Sequence, residues 1–132
     1  MSVLVDTCVW SLALWRHDPP ATRETEYLGR CIRSGVDLWI TGLILQEVLQ
    51  GFHEDPMSDR LEAQMRPFDI LPLERPVFVL AAKIHDVCRT HGLQVGTVDA
   101  QVAAAAISYE CPLLTSDADF RGIARHFRLA LA

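Results

Sequence analysis

Four acidic residues stand inside stretches that otherwise read as protein core. They are Asp6 in Val3-Leu-Val-Asp6-Thr7, Glu47 in Leu43-Ile-Leu-Gln-Glu47-Val48-Leu49, Asp99 in Thr97-Val-Asp99-Ala-Gln-Val102-Ala103, and Asp117 in Pro112-Leu-Leu-Thr-Ser-Asp117-Ala-Asp119-Phe120. An ionised carboxylate among apolar residues is costly unless it is paired, hydrogen-bonded or bound to metal. Four of them on one rim would repel one another strongly unless cations lay between them. A ligand set of oxygens alone, without His or Cys, selects hard ions, which makes Mg²⁺ or Mn²⁺ the natural choice. One or two such ions, about 3.5 to 4 Å apart where there are two, lower the pKa of a bound water, orient a phosphodiester and stabilise its leaving oxygen. That is the chemistry of a hydrolytic nuclease.

The surrounding elements are placed to bring these acids together. Ser2 to Val5 is short, apolar and β-branched, a buried strand that stops at Asp6, where Asp6-Thr7 opens a helix. His17 to Ala21 breaks that helix with two prolines, and Thr22 is the N-cap of a second one running from about Arg23 to Ser34, stopped by Gly35. Leu38 to Thr41 reads as a second strand. Gly42 leads into a helix that holds Leu43, Ile44, Glu47, Val48 and Gly51 on one stripe, because offsets of three and four share a face, so Glu47 points toward the core. A polar loop, His53 to Pro56, precedes Asp59-x-x-Glu62, a pattern like a capping box that would start a short helix.

Phe68 to Pro72 reads as a third strand near a sheet edge. A long helix follows from about Pro76 to His91, its apolar stripe being Val77, Leu80, Ala81, Ile84, Val87 and Cys88, and Gly92 ends it. Asp99 then falls in the first turn of an alanine-rich helix from Val98 to about Glu110. Cys111 to Thr115 is a fourth strand, Phe120 to Phe127 a short helix, and Leu129 to Leu131 a closing strand. Short apolar strands alternating with helices predict a three-layer α/β/α domain with a mainly parallel central sheet of four to five strands. In such a sheet, ligands bind beyond the carboxyl ends of the strands where strand order reverses, and all four acids lie on that rim.

The chain has 132 residues, half of them apolar, with seven glycines and seven prolines, which fits one domain spanning 1–132. The cysteines Cys8, Cys31, Cys88 and Cys111 show no CxxC or zinc spacing and read as reduced core thiols. The histidines His17, His53, His85, His91 and His126 likewise lack ligand spacing and read mostly as surface residues. No signal-like start and no apolar run of the ~20 residues that span a bilayer is present, so no membrane partner and a cytoplasmic location are expected. The net charge of -5 argues against general attraction to nucleic acid and leaves a local basic patch. Arg121 and Arg125, one helical turn apart and close to Asp117, are candidates for holding phosphate, with a solvated helix face as the equal alternative. Arg23, Arg30 and Arg33 form a second, weaker group. Trp10 and Trp15 read as packing residues, although the apolar helix between them would also offer a partner surface.

The ordered motifs Val5-Asp6-Thr7, Leu45-Gln-Glu47-Val-Leu-Gln-Gly51, Val98-Asp99-Ala100-x-x-Ala103-Ala104 and Leu114-Thr115-Ser-Asp117-Ala-Asp119-Phe120 resemble those of the PIN-domain family, in particular its small VapC-like toxins of toxin–antitoxin pairs. No one motif is specific alone; four in order over nearly the whole chain are. The resemblance implies that Asp6, Glu47, Asp99 and Asp117 are catalytic and bind metal, that Asp119 is an accessory metal-binding acid, and that the Thr7 and Thr115 hydroxyls support these acids by hydrogen bonds. Cys8 stands where the family commonly has Ser or Asn. The same resemblance implies Mg²⁺- or Mn²⁺-dependent endoribonuclease cleavage with water as nucleophile, in the family often of tRNA. It also implies a small antitoxin partner and a homodimer or toxin–antitoxin hetero-oligomer.

Taken singly, Asp6, Thr7 and Asp99 suit helix caps as well as metal, and Ser116 with Asp119 could form a capping pair. Asp37, Asp69 and Asp86 read as turn or solvated-face acids. Two other functions remain open: a catalytically silent module of the same fold, acting through protein contacts, and a phospho-acceptor signalling domain. The latter wants paired acids after the first strand and a lysine near the end, whereas here a single Asp precedes Thr7 and the only lysine is Lys83.

Overall fold

The computed structural model describes residues 1–14, 20–51 and 55–132. Its sheet is built from β1 (Ser2–Val5), β2 (Asp37–Ile40), β3 (Asp69–Ile70) and β4 (Leu113–Leu114), in the order β3-β2-β1-β4. Every pairing is parallel. Val3, Leu4 and Val5 have no exposed surface, which explains why β1 is continuously apolar: a central parallel strand is covered on both faces. Leu131 makes one parallel bridge to Leu113, so the expected closing strand is a single bridged residue rather than an element.

Seven helices connect the strands among the described residues: α1 (Thr7–Leu14), α2 (Arg23–Ser34), α3 (Gly42–Gln50), α4 (Asp55–Met65), α5 (Arg75–Thr90), α6 (Thr97–Ser108) and α7 (Asp119–Ala124). The chain steps from β1 to β2 to β3 in one direction and then returns past β1 to β4. Right-handed crossovers therefore put α1 to α4 on one face of the sheet and α5 to α7 on the other. The packing follows this division, with α1 against α2 and α3, α3 against α4, and α5, α6 and α7 against one another. Because the chain leaves β1 and β4 in opposite directions, the switch point is the crevice between their carboxyl ends.

Local chemistry accounts for most of the boundaries. Thr22 caps α2, accepting the Thr25 N–H at 3.1 Å, while Thr25 Oγ1 accepts the Thr22 N–H at 3.0 Å. Gly35 closes that helix at φ +70°, a conformation that side chains with a Cβ resist. In α6, Ala100 and Ala103 to Ala106 are all buried. A helix of alanines can sit between the sheet and α5 with its backbone close to both. Gly122 lets α7 lie against the loop after α5, since a Cβ there would stand 3.1 Å from Leu93 Cδ1.

Two further expectations change, those for α4 and Cys8, and Trp10 takes the packing role. The helix α4 starts at Asp55 and not at Asp59, with Pro56 in its first turn, where the missing N–H has no intrahelical acceptor to lose. Trp10 offers no partner surface: it is 1% exposed, its Nε1 donates to Val5 O at 3.1 Å, and its ring packs 4.7 Å from that of Phe68. It serves as packing, as the helical spacing suggested. Cys8 is only half-buried, unlike the core thiols Cys31, Cys88 and Cys111, and all four are free. Trp15, the proline break after His17, and His53 lie outside the described residues. No described helix is long and apolar enough to cross a membrane.

Candidate metal centre

Asp6 is where the sheet and the site meet. Its N–H donates to Leu114 O at 2.9 Å, joining the ends of β1 and β4, and its carbonyl accepts the Trp10 N–H at 3.3 Å, opening α1. Its side chain is 7% exposed and fully engaged. Oδ1 accepts the Thr7 N–H at 2.8 Å, and Oδ2 accepts the Thr115 hydroxyl at 2.8 Å and the Cys8 thiol at 3.5 Å. Burial raises the pKa of Asp6 above its ordinary value; these three donors oppose that rise and the charge of Asp117 adds to it. The carboxylate is thus a buried anion held by hydrogen bonds but close to others of its own sign.

Threonine hydroxyls tie this anion to its neighbours. Thr7 Oγ1 donates to Glu47 Oε1 at 2.9 Å, fixing the second turn of α3 against the start of α1. Glu47 is half-buried rather than enclosed, because the stripe it shares with Ile44 and Val48 runs out at the crevice. Thr115 Oγ1 also accepts the Asp117 N–H at 3.1 Å, so one hydroxyl links Asp6 to the backbone of the loop that carries Asp117. Each threonine hydroxyl thus donates to one of the acids.

Asp99 closes the crevice from the opposite face of the sheet. It is the third residue of α6, whose N-cap is Gly96, so it is not the cap of its helix. One carboxylate oxygen from each of Asp99, Asp117 and Asp119 lies within 4.8 Å of the other two. The Asp99 carboxyl is pushed up to about 6, first by burial and then by the charges of Asp117, Asp6, Asp119 and Glu47. That single residue therefore feels every acid in the group. The capping role suggested for Asp119 is also redistributed: α7 has no side-chain cap, and it is Asp117 Oδ1 that accepts the Asp119 N–H, at 2.9 Å. Asp119 itself is exposed.

Among the described residues, no Lys, Arg or His forms an ion pair with any of these five acids. The donor set is oxygen only and net anionic, and three carboxylate oxygens stand close enough for one ion to span them. These residues fit a hard divalent cation. Burial, and then the charge of Asp6, push the Cys8 thiol up.

Cys8 contributes in a way that its residue type concealed. Its sulfur donates to Asp6 Oδ2, lies 3.5 Å from Thr115 Oγ1 and accepts the Ser116 N–H at 3.4 Å. The thiol thus fills the position of a hydroxyl or amide, with longer bonds. Of the basic residues, Arg121 lines a cavity that runs on from Asp117, and so does Arg23 of α2, whereas Arg125 is not among its walls. Arg30 instead stacks over the Tyr27 ring, 5.7 Å from its centre. Asp37, Asp69 and Asp86 are all exposed and away from the group, as expected.

A four-stranded parallel sheet with an acidic switch point is the arrangement of PIN domains, and the PIN domain profile matches residues 3–126. The chain belongs to that family. It is similar to the toxin FitB of Neisseria gonorrhoeae, at 27% identity in an alignment of 125 positions that covers 87% of each chain. Among solved structures it is similar to FitAcB from N. gonorrhoeae, with a TM-score of 0.77 and 23% identity over 98% of this chain and 95% of that one. VapBC-1 from nontypeable Haemophilus influenzae gives a TM-score of 0.79 at 16% identity, covering 100% of this chain and 97% of the other. VapBC2 from Rickettsia felis, bound to a DNA fragment from its promoter, gives 0.76 at 17%, covering 100% and 98%. At these identities the structural likenesses establish the fold.

Proposed function

We propose that this PIN domain is a Mg²⁺- or Mn²⁺-dependent endoribonuclease and the toxin of a toxin–antitoxin pair. The observation that supports this best is the convergence of five carboxylates from β1, α3, α6 and the β4–α7 loop on one crevice, with Asp99 responding to all the others. Asp6, Glu47, Asp99 and Asp117 are the proposed catalytic, metal-holding acids, with Asp119 as an accessory. A divalent ion, when bound, supplies charge to activate water and to stabilise the leaving oxygen of a phosphodiester.

The chain's own residues do the rest. Thr7 and Thr115 aim Glu47 and Asp6 through their hydroxyls, so that the acids need not reorganise when a cation enters. The Asp6 carboxylate, held by three donors, stays in one rotamer. Asp117 is fixed at its backbone by Thr115 and at its side chain by the Asp119 N–H. Arg121 and Arg125, one turn apart at the end of α7, would meet the RNA backbone beyond the acids. Such an enzyme would act on RNA in the cytoplasm, with tRNA, a common target in the family, as the first substrate to test.

The toxin assignment rests on likeness to the toxin FitB and to the FitAB and VapBC structures. It carries with it a small antitoxin as partner and assembly as a homodimer or hetero-oligomer. Purified protein is expected to cleave RNA with Mg²⁺ or Mn²⁺ and to stop on chelation, and Asp6→Asn and Asp99→Asn are each expected to lose activity by at least about 10²-fold. Chelator-sensitive cleavage that persists undiminished in both variants would refute the assignment. An intact fold that binds Mn²⁺ weakly or not at all and cuts no RNA would instead indicate a silent module acting through protein contacts.

A further inference from the structure

Beside the acidic crevice lies a second feature, a polar cavity of about 300 Å³ whose walls include Asp117, Thr115 and Ser116 together with Arg23, Glu24 and Arg121. The two arginines come from α2 and α7, on opposite faces of the sheet, and meet only because the last residues of the chain lie beside β4. Arg23 is held in place there: its Nη2 donates to Ala132 O at 3.0 Å, and its Nη1 stands 3.7 Å from Glu24 Oε1. A guanidinium has five N–H donors, so others remain free to face the cavity. Arg121 has no carboxylate within ion-pairing distance among the described residues, although Asp117 is four positions before it and lines the same cavity.

Arg121, without an ion-pair partner among the described residues, and Arg23, whose charge is partly met by Glu24 of the same wall, thus stand beside the acidic group. A ligand that satisfies both must be anionic at the arginines and must carry oxygens that tolerate a cation at the acids. A phosphodiester chain does this, with one phosphate at each place. Arg presents a planar fork suited to phosphate oxygens, and the neighbouring hydroxyl of Ser116 is the kind of donor that also lines phosphate sites, whereas the Thr115 hydroxyl is already given to Asp6.

We propose that the Arg23–Arg121 cavity seats the RNA phosphate adjacent to the one cut at the acids, so that α2 and α7 together set the direction in which the strand crosses the site. This rests on the nuclease reading and adds to it a second subsite and a residue, Arg23, from the other side of the sheet.

The test separates binding from cleavage. In an Asp99→Asn background, binding of a labelled single-stranded RNA is measured by fluorescence anisotropy over a range of salt, with Arg23→Gln, Arg121→Gln and, as a control, Arg30→Gln. Arg23→Gln and Arg121→Gln are each expected to weaken binding roughly three- to tenfold and to reduce the slope of log K against log salt by about 0.7, the loss of one phosphate contact on a single strand. Arg30→Gln should leave the slope unchanged, and Mn²⁺ binding by the otherwise unaltered protein should survive both cavity substitutions. Unchanged slopes in both cavity variants, or an equal loss in Arg30→Gln, would overturn the proposal. The expected slopes together with a parent protein that cuts no RNA when supplied with Mg²⁺ or Mn²⁺ would remove the nuclease reading and leave the phosphate site standing.

Discussion

Asp99 shows how strongly a residue's role depends on its neighbours. Its carboxyl titrates near 6 in the fold against an ordinary 3.8, so between those values the folded chain holds a proton that the unfolded chain has released. Stability from this group therefore falls as pH rises from about 4 to about 6 and is flat above, because the ionised form is the disfavoured one. A divalent cation reverses that penalty by binding the ionised form. The increase in melting temperature produced by Mn²⁺ is expected to be larger at about pH 7 than at about pH 5, and Asp99→Asn should flatten this difference. An equal increase at both pH values would count against Asp99 as a ligand. Cys8 gives a second test at this scale. Cys8→Ala removes a donor to Asp6 and should weaken Mn²⁺ affinity roughly threefold or more, while Cys8→Ser, with a stronger donor of similar size, should restore it. If the alanine variant binds Mn²⁺ as well as the parent by calorimetry, the thiol is mere packing. The acids were legible in the sequence because charge is conspicuous among core residues. The thiol was not: cysteine reads as a small apolar residue until its neighbours are known.

At the scale of elements, α6 carries a local conflict that α2 avoids. Both end with the hydrogen bonds of a Schellman turn: Cys111 N–H to Ala106 O and Glu110 N–H to Ile107 O, each 3.1 Å, in α6, and Val36 N–H to Cys31 O and Gly35 N–H to Ile32 O, at 3.0 and 3.4 Å, in α2. In α2 the left-handed residue is Gly35, but in α6 it is Glu110, at φ +51°. A side chain with a Cβ is disfavoured there, so Glu110→Gly should stabilise the fold by about 0.5–1 kcal/mol in chemical denaturation, and no gain would mean that the Glu110 side chain compensates. The strands β1 and β2 and the helices α2, α3, α5 and α6 were readable to within a few residues, because apolar runs, caps and glycine stops are local signals. Others depended on tertiary context. β3 and β4 are two residues each, although the flanking Leu71 N–H still donates to Ile40 O at 2.9 Å and Pro112 O accepts the Leu4 N–H at 3.0 Å. The Asp59-x-x-Glu62 pattern marked a turn inside α4, because a capping box is indistinguishable from a solvated helix face when proline already tolerates an earlier start. The pairing of Arg23 with Arg121 had no local signal; it comes from chain crossovers on opposite faces of the sheet.

At the scale of the molecule, the five crevice acids equal the whole acidic excess of the chain, which has 17 Asp and Glu against 12 Lys and Arg. The rest of the surface is balanced, so attraction for a polyanion must be local and must depend on neutralising the crevice. The fold makes that concentration possible. Reversal of strand order between β1 and β4 brings Asp6 and the Asp117 loop side by side, and the two layers of helices deliver Glu47 from one face and Asp99 from the other. Removing one acid should therefore relieve repulsion in the metal-free protein and still destroy its hold on a cation. Calorimetric titration of Mn²⁺ into the parent protein, Asp99→Asn and Asp117→Asn tests this most directly. Saturable binding by the parent and affinities at least about tenfold weaker in both folded variants are predicted. Equal affinity in all three, or no Mn²⁺ binding by the folded parent, would contradict it.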